Sequence, residues 1–179
     1  MSQDHPGVYL AGDTPDVYVS TPLANAGWYD EGQHGGAFAA LVVGHVERNV
    51  PTLAPMEVSR LTVELFRVVP LVPLRIETEV VREGKRIQNV VARVFGPDEA
   101  ILSVATVQRL RVADLPMTGE AAPPALELPE PDEVDGVVAA GWGVGAEGKV
   151  MFHRHAMEVR EILVQRPQLN NPKGLAFVP

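Results

Sequence analysis

From residue 57 to residue 112 apolar and polar side chains alternate with a period of two, the signature of half-buried strands. Glu57 to Val68 sets Leu61, Val63 and Leu65 on one face and Thr62 and Glu64 on the other. Leu74 to Val81 sets Leu74, Ile76 and Val80 against Arg75, Glu77 and Glu79, and Arg86 to Phe95 is apolar on both faces. Ala100 to Val112 alternates Leu102 and Val104 against Ser103, then Thr106 and Gln108 against Val107. Arg82-Glu83-Gly84-Lys85 and Gly96-Pro97-Asp98-Glu99 are short, polar breaks that read as hairpin turns. The four runs therefore predict an antiparallel meander.

Ahead of the meander the period changes. Ala37-Phe38-Ala39-Ala40-Leu41-Val42-Val43-Gly44-His45-Val46 is apolar on every side before Glu47-Arg48-Asn49 turns polar. Its length and alanine content predict a buried helix, stopped by Pro51 and Pro55. Gly32-Gln33-His34-Gly35-Gly36 runs directly into it. Earlier still, Val17-Tyr18-Val19 predicts a short strand, and Thr21-Pro22 predicts a capped helical turn. Strands packed on one helix give an α+β domain, over residues 1–113. Its meander leaves edges for another copy or domain to cover.

Beyond Asp114 the pattern fades. Residues 114–135 are acidic and proline-rich, a linker composition. Within residues 136–179, Phe152 to Arg160 predicts an entering strand, and Gln165 to Pro179 a loose tail.

Composition narrows the chemistry. The 179 residues contain no cysteine, which removes disulfides, thiolate metal sites and a thiol nucleophile, and fits a reducing cytoplasm. A net charge of −8 argues against nucleic-acid and membrane-surface binding. No apolar run approaches the roughly 18 residues of a membrane span, and Met1 to Pro6 predicts no secretory leader. Phosphate-binding loops, dinucleotide fingerprints and serine elbows are absent, so no cofactor is expected. His153-x-His155 would share one strand face, but no third ligand accompanies the pair, so no metal is expected either.

Gln33-His34-Gly35-Gly36 before a buried helix, followed by four antiparallel strands, resembles the acyl-CoA thioesterase II-like family. Glu64-Leu65-Phe66-Arg67 with nearby Pro70, and Glu83-Gly84-Lys85-Arg86 at a strand turn, add to the resemblance. It covers about Gly27 to Arg111 and implies a hotdog fold, an antiparallel sheet wrapped around a long buried helix. The family fuses two such repeats, and Trp142 to Arg160 resembles the start of a second. The residues after the linker are too few to complete one. The resemblance further implies hydrolysis of acyl-CoA thioesters by a homodimer or higher homo-oligomer. The alternatives are a non-catalytic acyl-CoA or lipid-binding module, or a subunit that needs a partner chain.

Thioester hydrolysis builds negative charge on the carbonyl oxygen, and the free N–H groups of a helix start can stabilise it. Gly35 and Gly36 allow close approach there, although two glycines also suit a tight turn. His34 or Gln33 would orient water or substrate, with Asp30 and Glu31 as distant alternatives. Many single-repeat hotdog thioesterases carry a carboxylate on the helix at the position filled here by Val43. Phe38 would line the acyl site. Arg82, Lys85, Arg86 and Arg67 are candidate partners for CoA phosphates, or simply solvated charges. His45, near the helix end, is expected to cap or pack.

Overall fold

The computed structural model describes residues 7–27, 31–114 and 149–157. All of them belong to one compact unit, Met1–Ala125 with Gly141–Glu158. The expected linker and tail lie outside the described residues.

The alternating segments fold as strands, within a residue of the expected ends except that the first stops at Leu65 rather than Val68. They are β3 (Met56–Leu65), β4 (Pro73–Arg82), β5 (Ile87–Phe95) and β6 (Ile101–Arg111). The helix α1 spans Gly35–Asn49. Two short strands precede it, β1 (Tyr9–Ala11) and β2 (Val17–Ser20), with a 3-10 turn at Pro22–Ala24 capped by the Thr21 side chain. The strands form one antiparallel sheet in the order β1-β2-β4-β5-β6-β3.

Against this sheet α1 buries Ala37, Phe38, Leu41, Val42, His45 and Val46. That is a single stripe with helical spacing, so the helix is covered on one side and not all round as its composition predicts. Ala40 is exposed, and Val43 and Gly44 are half-buried. The sheet answers with Leu74 and Ile76 from β4, Val90, Ala92 and Val94 from β5, and Ala105 and Val107 from β6.

The face assignment within β6 is corrected. Ser103, Ala105, Val107 and Arg109 are buried, whereas Val104 is only half-buried. Phe95 pairs with Ile101 and Val94 with Ser103, so Leu102 is an extra residue on β6. A bulge of this kind shifts the alternation by one, which a strict period of two does not foresee. The Ser103 hydroxyl is satisfied by donating to the carbonyl of Glu64, 2.8 Å away.

Polar side chains of the sheet serve the end of α1. Arg109 Nη2 donates to the Val50 carbonyl at 2.9 Å. Gln88 Nε2 donates to the Pro51 carbonyl at 2.8 Å and to Glu83 Oε2 at 2.7 Å. Carbonyls at and just beyond a helix end lack partners within the helix, and the buried Arg109 and Gln88 side chains supply them.

Residues 152–156 form a single π-helical turn, Phe152–Ala156, where a strand is predicted. The His155 N–H donates to the Met151 carbonyl at 2.9 Å and closes the turn.

Phe38 is 1% exposed at the centre of the core. Phe38→Ala should cost about 3–5 kcal/mol in urea unfolding. A loss below about 1 kcal/mol would mean that the ring is not seated as described.

Candidate active site

His34 is the N-cap of α1, with extended backbone, and its Nδ1 accepts the Gly36 N–H at 3.1 Å. Its own N–H donates to the Ala24 carbonyl at 2.7 Å, and Phe38 N–H donates to its carbonyl at 3.0 Å. Because Nδ1 accepts, a neutral His34 carries its proton on Nε2. Burial holds the pKa of this imidazole below its ordinary value, and the neighbouring His153 adds to the effect. The ring is thus neutral at pH 7.

Gln33 is 7% exposed and fully engaged in structure. Its Oε1 accepts from the Tyr9 hydroxyl at 2.6 Å, and its Nε2 donates to the Pro70 carbonyl at 2.7 Å. Its backbone N–H donates to the Val69 carbonyl at 2.8 Å. Gln33 therefore ties the helix start to β1 and to the segment between β3 and β4. Burial pushes the Tyr9 phenol well above its ordinary pKa, keeping it a donor.

The two glycines differ. A side chain at Gly35 would meet open space. At Gly36 a Cβ would stand 3.2 Å from His34 Nδ1 and 3.8 Å from the Phe152 ring. Both glycines are exposed. The Gly36 N–H already has an acceptor in His34, whereas Gly35 is approachable from solvent.

Residues 149–157, which sequence reasoning assigned to a second repeat, reach this helix start. Phe152 N–H donates to the Asn25 carbonyl at 2.9 Å. Met151 is buried against Gly27, whose φ of +89° is left-handed and whose missing Cβ would sit 2.1 Å from the Met151 sulfur. These contacts place the Phe152 ring 5.0 Å from the His34 ring and the His153 ring 5.8 Å from it. Only the aromatic and histidine content of 152–155 marked this segment in the sequence. The Met151 N–H donates to His155 Nδ1, and no cluster of three metal-ligating side chains occurs among the described residues.

Beside the helix start opens a groove of about 450 Å³. Ala37, Ala40 and Leu41 form its floor, Tyr9 and Leu10 one wall, Phe152 one end, and Arg48 also lines it. Phe38, expected to line the acyl site, does not reach it; the ring is a core residue.

The basic residues are separated. Arg67 follows β3 at the sheet end that carries Val69 and Pro70, next to the helix start. Arg82, Lys85 and Arg86 lie at the β4–β5 turn, where Gln88 and Glu83 meet the chain leaving α1. They are all exposed, and α1, about 22 Å long, separates them from Gly35 and Gly36 within one copy. Asp30 lies outside the described residues, and Glu31 is exposed with its carbonyl accepting from Leu71 N–H.

His45 is a buried polar centre. Tyr18 Oη stands 2.8 Å and Asn49 Nδ2 3.2 Å from its Nδ1, so that atom accepts. Burial, then Arg48, hold its pKa below the ordinary 6.5, opposed by Asp16.

Residues 25–109 match the acyl-CoA thioesterase N-terminal domain family. The match spans the glycine turn, α1 and most of the four long strands. No curated protein matches the chain. A hot dog fold protein of unknown function from Alicyclobacillus acidocaldarius is 21% identical, covers 73% of this chain and 47% of its own, and has a TM-score of 0.53. A Bacillus halodurans protein solved with CoA is 21% identical, with 52% of this chain and 64% of that one covered and a TM-score of 0.46. A phenylacetic acid degradation-related protein from Ralstonia eutropha is also 21% identical, with 59% and 84% covered and a TM-score of 0.45. The chain thus spans less than two thirds of the Bacillus and Alicyclobacillus proteins. The chain has the hotdog fold that the resemblance implied.

Two predictions follow from this geometry. Gly35→Ala should leave the thermal midpoint unchanged or slightly raised, whereas Gly36→Ala should lower it by displacing His34; equal effects would contradict the different surroundings of the two glycines. Acid should also destabilise the fold. His34 and His45 have folded pKa values below their unfolded ones, so the unfolded chain takes up protons first as pH falls past about 6.5. Their contribution to stability is present above that pH and is lost below it. Urea midpoints should therefore be lower at pH 5.5 than at 7.5, and His45→Gln should flatten the difference.

Proposed function

We propose that this chain hydrolyses acyl-CoA thioesters to a free acid and CoA. The observation that carries the reading is the helix start: two exposed glycines beside a neutral His34, in a segment matching an acyl-CoA thioesterase domain. The thioester oxygen would lie at the N–H groups of Gly35 and Gly36, displacing His34 Nδ1 as acceptor of the latter. Water adds to the carbonyl carbon, the developing oxyanion is held by those donors, and the C–S bond then breaks. The proton lost by water passes to the departing thiolate. His34 and His153 supply the imidazoles beside that position, and Gln33 fixes the turn that presents them. Arg67 shares the glycines' end of the sheet. Arg82, Lys85 and Arg86 would serve CoA phosphates from another copy.

That copy has a place to bind. Among the described residues β2 pairs with residues 73–75 of β4 and the rest of β4 is covered by a strand on the β5 side alone, and Val80 and Val81 are exposed there. Unpaired strand edges recruit partners, and we propose a homodimer or higher homo-oligomer. No helix among the described residues is long and apolar enough to cross a membrane. A cytoplasmic location, where CoA thioesters are at hand, accords with this reading.

A second reading is a non-catalytic acyl-CoA or lipid-binding module, or a subunit completed by a partner chain. It is favoured by Val43, which stands where a helix carboxylate would act. Release of thiol from acetyl- to palmitoyl-CoA separates the readings, because a cysteine-free chain gives no background. Turnover should fall about a hundredfold or more in Gly36→Val at unchanged secondary structure. Binding of the same thioesters without turnover would support the module.

A further inference from the structure

The groove beside α1 has a polar end that hydrolysis does not require. It begins at Phe152 and Ala37, against the glycine turn, and continues over Ala40 and Leu41 beneath Leu10. At its far end stands Arg48. The guanidinium folds back across Gly44, where a Cβ would lie 2.9 Å from Nη1 and 3.2 Å from Nη2. Gly44 is therefore what lets this cation lie along the helix. From Gly36 to Gly44 the helix advances about 12 Å.

Arg48 forms no salt bridge with a carboxylate among the described residues; the ion pairs there are Arg75 with Glu77 and Glu99, and Arg93 with Glu79. On α1 its titratable neighbours are His45, whose pKa it helps to lower, and the exposed Glu47, with which it forms no salt bridge. A largely apolar passage that starts at Ala37 and Phe152, beside the glycine turn, and ends on a guanidinium without a carboxylate partner among the described residues complements one kind of acyl group. We propose that the groove selects acyl-CoA thioesters whose chain ends in a carboxylate, with Arg48 binding that terminal anion. The proposal rests on the hydrolase reading above for its catalytic end, and on Arg48 and the groove for its selectivity.

A ten-carbon chain tests it, as decanoyl-CoA and as the mono-CoA thioester of decanedioic acid. The wild type should favour the carboxylate-ended substrate in kcat/KM by about tenfold, as expected for a charge-assisted contact open to solvent. Arg48→Met should abolish that preference. Gly44→Ala keeps the charge but displaces the guanidinium, and should reduce the preference as well. Equal treatment of the two substrates by the wild type, or a preference that survives Arg48→Met, would overturn the proposal. If the wild type turns over neither thioester, the hydrolase reading fails, and calorimetric binding of the same two compounds decides. Tighter binding of the carboxylate-ended one, lost in Arg48→Met, upholds the selectivity; equal or no binding ends it.

Discussion

The helix α1 is pinned at both ends by hydrogen bonds through the buried side chains of Gln33, Gln88 and Arg109, and the glycine turn takes its position from that constraint. At the start, Gln33 joins Tyr9, Val69 and Pro70. At the finish, Arg109 and Gln88 hold the carbonyls of Val50 and Pro51. Apolar burial alone is non-directional and would let the helix slide along the sheet. The polar bonds fix its register, because a slip would leave donors and acceptors stranded away from water. The glycine turn is therefore presented at a fixed height above the sheet end, and the groove keeps a fixed length.

Much of the fold was legible because periodicity is a direct image of burial. β5 alternates throughout, β3 and β4 alternate until a bulge or an exposed end at Leu65 and Val80 breaks the pattern, and the change from a period of two to an all-apolar run marks α1. What escaped did so for identifiable reasons. β1 has three residues, too few to establish any period. The phase of β6 was misread because one extra residue, Leu102, changes the side of everything beyond it. The π-helical turn at Phe152–Ala156 has strand-like composition, and its conformation follows from docking on Asn25 and Gly27, contacts that no local pattern contains.

The site was legible in part. Gly35, Gly36 and His34 stand together because they are neighbours in sequence and the helix start is local. Gln33 was recognisable as a residue of the turn, but its anchoring role depends on Tyr9, 24 residues away in sequence. Phe38 illustrates the opposite error: an aromatic beside a candidate site is as apt to be core as lining, and only the angular position on the helix decides. The arginines show the same limit at larger scale. Sequence groups Arg82, Lys85 and Arg86 and leaves Arg67 apart, but only the sheet register reveals that they occupy opposite ends.

The contact of Met151 with Gly27 has a consequence for the order of assembly. The pairings β2–β4 and β3–β6 already join strands far apart in the chain, and Phe152 meets Asn25 across a longer span still, residues 26–151. Closing so long a loop costs entropy that local hairpins do not face. The glycine turn needs only residues that precede β4, whereas the groove is complete only once Phe152 has joined it. Of the walls of the groove, the one at Phe152 is therefore the one whose closure spans the most chain.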